Sequence, residues 1–289
     1  MKTILFLSLI FLGVSQSGVA QTKDGFPDEY RVYKTVNGDV LDLHIFYPEN
    51  HQPSEKRAAI VFFHGGAWRS GDPSRFYPQC EYLVERGMVA ISAKYRLSSK
   101  GGSKPKECVT DAKSAIRWVR GHADELGIDS NRIAAGGGSA GGQMAAATAT
   151  AKAFDDPNDD LTVNCRPNAL VLFNPVIDNG PGPNSFAHGR VAAYWEDFSP
   201  LHNLSGETPP TLIIVGSQDT ASTPAACEAF QEKMESLGNR CDLLIYEGQS
   251  HGFYFKKPAF RSTTKEAMAQ FLRSIGFIDN ESEIQYPQE

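Results

Sequence analysis

The sequence predicts an α/β fold: eight strands in a mostly parallel sheet, helices on both faces, and an antiparallel hairpin at the N-terminal edge. Three observations carry this. Short apolar, β-rich runs alternate with amphipathic helical patterns from residue 31 to residue 275, the order that sets parallel strands beside crossover helices. Some runs are apolar at consecutive positions, as in Ala58-Ala59-Ile60-Val61-Phe62-Phe63, and such a strand needs cover on both faces of its sheet. The first two runs flank Asn37-Gly38, the strongest two-residue hairpin signal.

In chain order, strands are expected at 31–35 and 41–47, joined across Asn37-Gly38, and then at 58–63, 88–93, 132–135, 169–173, 211–215 and 242–246. Helical patterns lie between and after them near 78–86, 108–126, 140–152, 224–237 and 262–275. No repeat, low-complexity stretch or Pro/Gly-rich linker divides the span, so residues 21–289 read as a single domain. Ahead of it, Lys2 precedes an apolar run over 4–14, and Gly18 and Ala20 stand at the −3 and −1 positions of a cleavage site before Gln21. Residues 1–20 therefore read as a signal peptide, since the 11 apolar residues fall short of the ~18 to 20 that span a bilayer. No Cys follows to carry a lipid. The protein is expected to be exported, periplasmic or secreted, without a stable membrane anchor.

Composition narrows the function. At 289 residues, 41% hydrophobic and 21% charged, the chain is too apolar to be disordered and too polar to cross a membrane many times. With 28 basic against 34 acidic residues, net −6, it has no electrostatic footprint for nucleic acid. There is neither a CxxC nor an HExxH, so no redox motif or common zinc site is visible, and no metal or cofactor is expected. The acidic run from Asp155 to Asp160 lacks the EF-hand spacing and reads as a solvated loop rather than a calcium site.

In parallel sheets the chemistry sits on loops leaving the carboxyl ends of the strands, and three such loops carry unusual residues. His64-Gly65-Gly66-Ala67-Trp68 follows the 58–63 run, where two glycines leave backbone N–H groups unshielded for an anion, or simply make a turn. Gly136-Gly137-Gly138-Ser139-Ala140-Gly141-Gly142 satisfies both the dinucleotide fingerprint G-x-G-x-x-G and the nucleophile elbow G-x-S-x-G. The dinucleotide reading needs these glycines in the first βαβ unit and an acidic residue ending the next strand, and neither condition is met. The elbow reading explains more: glycines flank Ser139 at a strained strand-to-helix turn, and the helix start at Ala140 offers its N–H to an oxyanion. The third feature is a pair of later loops, which hold Asp219 after the 211–215 strand and His251 after the 242–246 strand. Asp178, after the 169–173 strand, is the alternative acid.

The joint occurrence of His64-Gly65-Gly66, Gly137-x-Ser139-x-Gly141, Asp219 and His251, in the order Ser-Asp-His, resembles the α/β-hydrolase superfamily over about residues 30–275. Within it, the chain is similar to the acetyl esterase and carboxylesterase branch, near the hormone-sensitive-lipase-like and feruloyl/xylan-esterase-like enzymes. The resemblance implies a serine esterase for short-chain carboxylic esters, among them acetyl or feruloyl groups on polysaccharides. It makes Ser139 the nucleophile, His251 the general base and then acid, and Asp219 the group that orients His251. The N–H groups of Gly65, Gly66 and Ala140 would form the oxyanion hole. Two departures stand out: Ala67 replaces the last Gly of the lipase-type His-Gly-Gly-Gly loop, and Gly138 stands where the hormone-sensitive-lipase group usually has Asp.

The substrate, a small-molecule or carbohydrate ester, is expected to meet Trp68, Tyr95 and the segment 178–210, whose Phe186, His188, Tyr194 and Trp195 suit a sugar or phenolic ring or, equally, a small core under a long loop. Two other readings stand beside the esterase: an inactive hydrolase-fold binding module, and a serine peptidase of the same fold. Export would permit disulfides among the five cysteines. Cys80, Cys108 and Cys227 fall near helix starts and Cys165 and Cys241 before strands, so if one bridge forms the ends of the elements favour Cys80–Cys108 and exclude Cys227–Cys241.

Overall fold

The computed structural model describes residues 25–98 and 103–279. The signal peptide expected at 1–20 lies outside the described residues. Strands β1 (Glu29–Val36) and β2 (Asp39–Phe46) pair antiparallel across Asn37 and Gly38, both at positive φ (50° and 85°), which is the turn whose twist suits a hairpin. There follow β3 (Arg57–Phe63), α1 (Tyr77–Val84), β4 (Val89–Ala93), α2 (Pro105–Gly121), β5 (Ile128–Gly138), α3 (Ala140–Thr150) and β6 (Ala169–Phe173). Beyond β6 come α4 (His188–Val191), α5 (Trp195–Phe198), β7 (Thr211–Gly216), α6 (Pro224–Ser236), β8 (Cys241–Tyr246), α7 (Phe253–Lys256) and α8 (Pro258–Ser274).

The strands form one sheet in the order β1-β2-β4-β3-β5-β6-β7-β8, with β2 antiparallel to both its neighbours and every pairing from β4 to β8 parallel. The consecutive apolar residues of β3 are divided between two layers. Ala59, Val61 and Phe63 face a core shared with α2, α3 and α6, whereas Ala58, Ile60 and Phe62 face one shared with α1 and α8. Register then aligns the strand ends: Phe63 pairs with Gly137, Gly138 with Phe173, and Gly216 with Tyr246. The loops that begin at His64, Ser139, Asn174, Ser217 and Glu247 consequently leave the sheet at one edge.

Several expectations change in detail. β5 begins at Ile128 and not at 132, because Asp129 and Asn131, which read as turn residues, are accommodated where the register against β3 shifts between Arg57 and Ala59. The last helix starts at Pro258, and the segment 178–210 holds the short helices α4 and α5. The acidic run is not simply solvated. Lys113 and Arg117 of α2 grip Asp155, Arg117 also reaches Asp159, and Lys34 of β1 pairs with Asp156. All five thiols are free and buried. A Cys80–Cys108 bridge is ruled out by the sheet itself: Cys80 packs in the α1/α8 layer and Cys108 in the α2/α3/α6 layer, a separation invisible when only strand and helix ends are considered. Among the described residues, no helix is long and apolar enough to cross a membrane.

Candidate active site

Ser139 occupies the turn between β5 and α3 at φ 55° and ψ −119°, a conformation that a side-chain-bearing residue adopts only when its surroundings enforce it. They do so here. The Ser139 N–H donates to the Phe173 carbonyl at 3.0 Å, and a Cβ placed on Gly141 would sit 1.9 Å from the Phe63 carbonyl oxygen, so only glycine lets the turn close against β3. The Tyr254 hydroxyl fills the space beside Gly138, 2.0 Å from where a Cβ would stand. This aromatic, stacked on Phe173, takes up the room that an Asp before Ser139 would need.

The strand-end loops bring Ser139, His251 and Asp219 into one hydrogen-bonded chain. His251 Nε2 lies 2.9 Å from Ser139 Oγ, and His251 Nδ1 lies 2.9 and 2.8 Å from the two carboxylate oxygens of Asp219. With Nδ1 donating to the carboxylate, Nε2 is left to accept the serine hydroxyl proton. The Asp219 side chain is fully buried, and its Oδ1 also accepts the N–H groups of Ala221 and Ser222 at 2.9 and 2.8 Å. The imidazole remains about one-third exposed, open to solvent. Asp178 does not compete: its Oδ1 accepts the Gly180 N–H at 2.9 Å and lies 4.0 Å from His202, not His251.

Facing Ser139 is the loop from His64 to Trp68. A Cβ on Gly65 would be 3.2 Å from the Ser139 Cβ, so the Gly65 backbone lies directly against the serine. Gly66, Ala67 and Trp68 all have positive φ (130°, 51° and 58°). The Gly66 carbonyl accepts the N–H groups of Arg69 and Ser70 at 3.0 and 3.2 Å, which folds the loop back. Ala140 is the first residue of α3, so its N–H has no place in the helical ladder. Ala67 does adopt the left-handed conformation that Gly would take more readily, and Arg190 of α4 donates to its carbonyl at 2.8 Å. Beneath the loop the His64 imidazole is buried, donates from Nδ1 to the Gly65 carbonyl at 2.9 Å and stacks on Tyr95, whose hydroxyl donates to the His64 carbonyl at 2.7 Å. Burial holds His64 down to about 4 and pushes the Tyr95 phenol up.

Two of the expected substrate contacts, Trp68 and Tyr95, need correction. Trp68 is 0% exposed and Tyr95 2% exposed. Trp68 donates its indole N–H to Gln143 Oε1 at 3.2 Å and packs edge-on against Phe198. Both aromatics thus support the glycine loop from behind and do not wall an open pocket; their buried hydrogen bonds pull them inward. Trp195 is half-buried and lies edge-on to His202 and His188 within the 178–210 segment. Sequence reasoning passed over Arg190 and Asn174. Asn174 is the first residue after β6, buried, at φ 35°, with its side chain against His251. Its signal was available: a polar residue ending an apolar strand at the same edge as Ser139, just before a proline.

The eight-stranded sheet and this strand-end constellation define a hydrolase-type scaffold. Residues 60–255 match the family model of the alpha/beta hydrolase fold, and the chain belongs to that family. In three dimensions it is similar to a thermophilic esterase, esterase 2 of the planctomycete Thermogutta terrifontis, with a TM-score of 0.84 and 41% identity over 90% of this chain and 95% of that one. That enzyme is also known in forms phosphorylated by paraoxon and bound to propionate or butyrate. Among curated proteins, the chain is 25% identical over 244 residues to esterase LipC of Mycobacterium tuberculosis, covering 77% of this chain and 60% of LipC. It is 28% identical over 225 residues to an acetylxylan esterase of Xylanibacter ruminicola, covering 73% of this chain and 43% of that one. The chain spans 53–60% of the length of the first three curated relatives it matches.

Proposed function

We propose that this protein is a carboxylic ester hydrolase that cleaves short-chain esters through an acyl-enzyme on Ser139. The observation that carries the reading is the Ser139–His251–Asp219 chain, closed at 2.9 and 2.8 Å on a strained elbow. In the first half-reaction Ser139 Oγ attacks the ester carbonyl as His251 Nε2 takes its proton, and the carbonyl oxygen becomes an anion held by the N–H groups of Gly65, Gly66 and Ala140. Collapse of that tetrahedral species breaks the bond to the alkoxy oxygen, which leaves with the proton from His251. Water then repeats the sequence on the acyl-enzyme, giving up its proton to His251 and releasing the acid with Ser139 restored. Asp219 keeps the proton on Nδ1 throughout and stabilises the imidazolium.

The same geometry argues against an inactive binding module, which has no use for an aligned base or a strained serine. Short acyl groups are supported by similarity to an esterase bound to propionate and butyrate and to an acetylxylan esterase, and by the absence of a long apolar lid among the described residues of 178–210. Acetyl or feruloyl groups on polysaccharides remain within this proposal, as does export. Hydrolysis of p-nitrophenyl acetate tests the central reading: Ser139→Ala and His251→Ala should each lose at least about 10³-fold in kcat/KM, and the double variant should be no worse than either, because the residues act as a unit. A serine variant that keeps a tenth of the activity overturns it.

A further inference from the structure

We infer that Asn174 is a positioning residue for His251, and that its carboxamide turns over to face the ring with oxygen when the ring becomes cationic. The inference rests on the reading of His251 as the base. Asn174 Nδ2 lies 3.3 Å from Nδ1 and 3.4 Å from Nε2 of His251. Both nitrogens are already occupied in the ring plane, one by Asp219 and the other by Ser139. An atom equidistant from both at this range would collide with Cε1 if it lay in that plane, so the amide rests against the flat of the imidazole. There it blocks rotation of the ring out of the line joining carboxylate and serine.

Two further observations bear on Asn174. The residue is 1% exposed, and its Oδ1 is buried without a hydrogen-bond partner among the described residues. Such an oxygen is costly to keep. Its backbone is held at φ 35° from several directions: its N–H donates to the Ile214 carbonyl at 2.6 Å, the Phe173 carbonyl before it accepts from Ser139 at 3.0 Å, and the Pro175 carbonyl after it accepts from Ser222 Oγ at 2.5 Å. Strain and an unsatisfied polar atom persist together where function requires them.

The electrostatics give the orphan oxygen a use. An N–H directed at the face of a neutral imidazole is weakly attractive. Once His251 takes the serine proton, the ring is a cation that repels that N–H and attracts a carbonyl oxygen. Half a turn about the terminal side-chain bond exchanges the two ends of a nearly symmetric amide, bringing Oδ1 to the ring in the state that precedes departure of the alcohol. The other charged or titratable groups around the imidazole are Asp219 from the loop after β7, with the buried Cys227 thiol of α6 beyond it, Tyr254 across Gly138, and Lys256 of α7, which donates to the His251 carbonyl at 2.9 Å.

Two variants that tolerate positive φ provide the test. Asn174→Gly removes the clamp and should lower kcat about tenfold while KM for p-nitrophenyl acetate stays within about twofold, since no contact with bound substrate is lost. Asn174→Asp keeps the shape but fixes an anionic oxygen beside the ring, and should move the acidic limb of kcat/KM about one unit or more to higher pH. A glycine variant with wild-type kcat overturns the clamp, and an aspartate variant whose limb coincides with that of the wild type overturns the electrostatic role. Should Asn174→Gly fail to fold, Asn174→Ser, which shortens the side chain away from the ring, reads the clamp in its place through the same kcat and KM, and wild-type kcat there overturns it. Stoichiometric labelling of the wild type by paraoxon at Ser139, read by peptide mass, tests the underlying esterase reading separately: if Ser139 is not labelled, that reading fails and the role of Asn174 falls with it, whereas a labelled Ser139 with unchanged Asn174 variants overturns the role of Asn174 alone.

Discussion

Two charged clusters of this molecule handle buried polar groups in opposite ways. Under α2, the side chains of Lys34, Arg96, Asp111, Lys113, Arg117 and Asp155 are woven into a network in which each has defined partners. Asp111, with a side chain 0% exposed, receives Arg96 through Nε and Nη2 at 2.8 Å each and Lys34 at 3.1 Å. Lys113 Nζ donates to the carbonyls of Ala151 and Ala153 at 3.1 and 2.7 Å and to Asp155 at 2.9 Å. At the strand ends around Ser139, by contrast, Ala67, Trp68, Ser139 and Asn174 all have positive φ, and Asn174 Oδ1 has no hydrogen-bond partner among the described residues. Saturated ion pairs fix the loop after α3 to the body of the protein, and under the proposed function the region around Ser139 accepts strain because reacting atoms must stand in one geometry.

The widest separation of the two should come from Asp219, the acid of the proposed triad. Asp219→Asn leaves the shape intact but removes the charge that fixes the His251 tautomer, so kcat should fall on the order of 10³-fold or more with little change in melting temperature. Asp178→Asn should stay within about twofold; an equal loss in both would mean the acid is misassigned. The network should give the reverse result. Lys113→Met leaves two carbonyls and part of Asp155 without their donor, and should cost about 3 kcal/mol in denaturant unfolding while kcat per folded enzyme is unchanged. A loss of activity without loss of stability would erase the contrast.

A smaller effect lies behind the glycine loop. Burial lowers His64 to about 4 from its ordinary 6.5, so the folded state resists a proton that the unfolded chain accepts. The stability this gives is fully present above about pH 6.5 and is lost as pH falls toward 4, amounting to about 2 kcal/mol between pH 7 and pH 5. Urea unfolding across that range should show the slope, and His64→Asn should flatten it even if the variant is less stable overall. A variant with an undiminished slope would assign it to other groups, such as His44, which burial also lowers.

The sequence by itself determined the parts governed by local pattern. Alternating runs announced the eight strands, Asn37-Gly38 announced its turn, and glycines around Ser139 announced an elbow, because each depends on residues a few positions apart. The order Ser139, Asp219, His251, each beyond a strand end, was legible for the same reason: parallel strands deliver their carboxyl ends to one edge. Only the tertiary structure decided which face of the sheet each side chain occupies. It put Cys80 and Cys108 on opposite sides, turned Trp68 and Tyr95 inward behind the glycine loop, and paired Asp155 and Asp156 with cations far away in the chain. It also set Asn174 against His251 across 77 residues. Contacts of that kind arise from register between strands and from packing of layers, whose energies depend on all the partners at once, so no local motif could have recorded them.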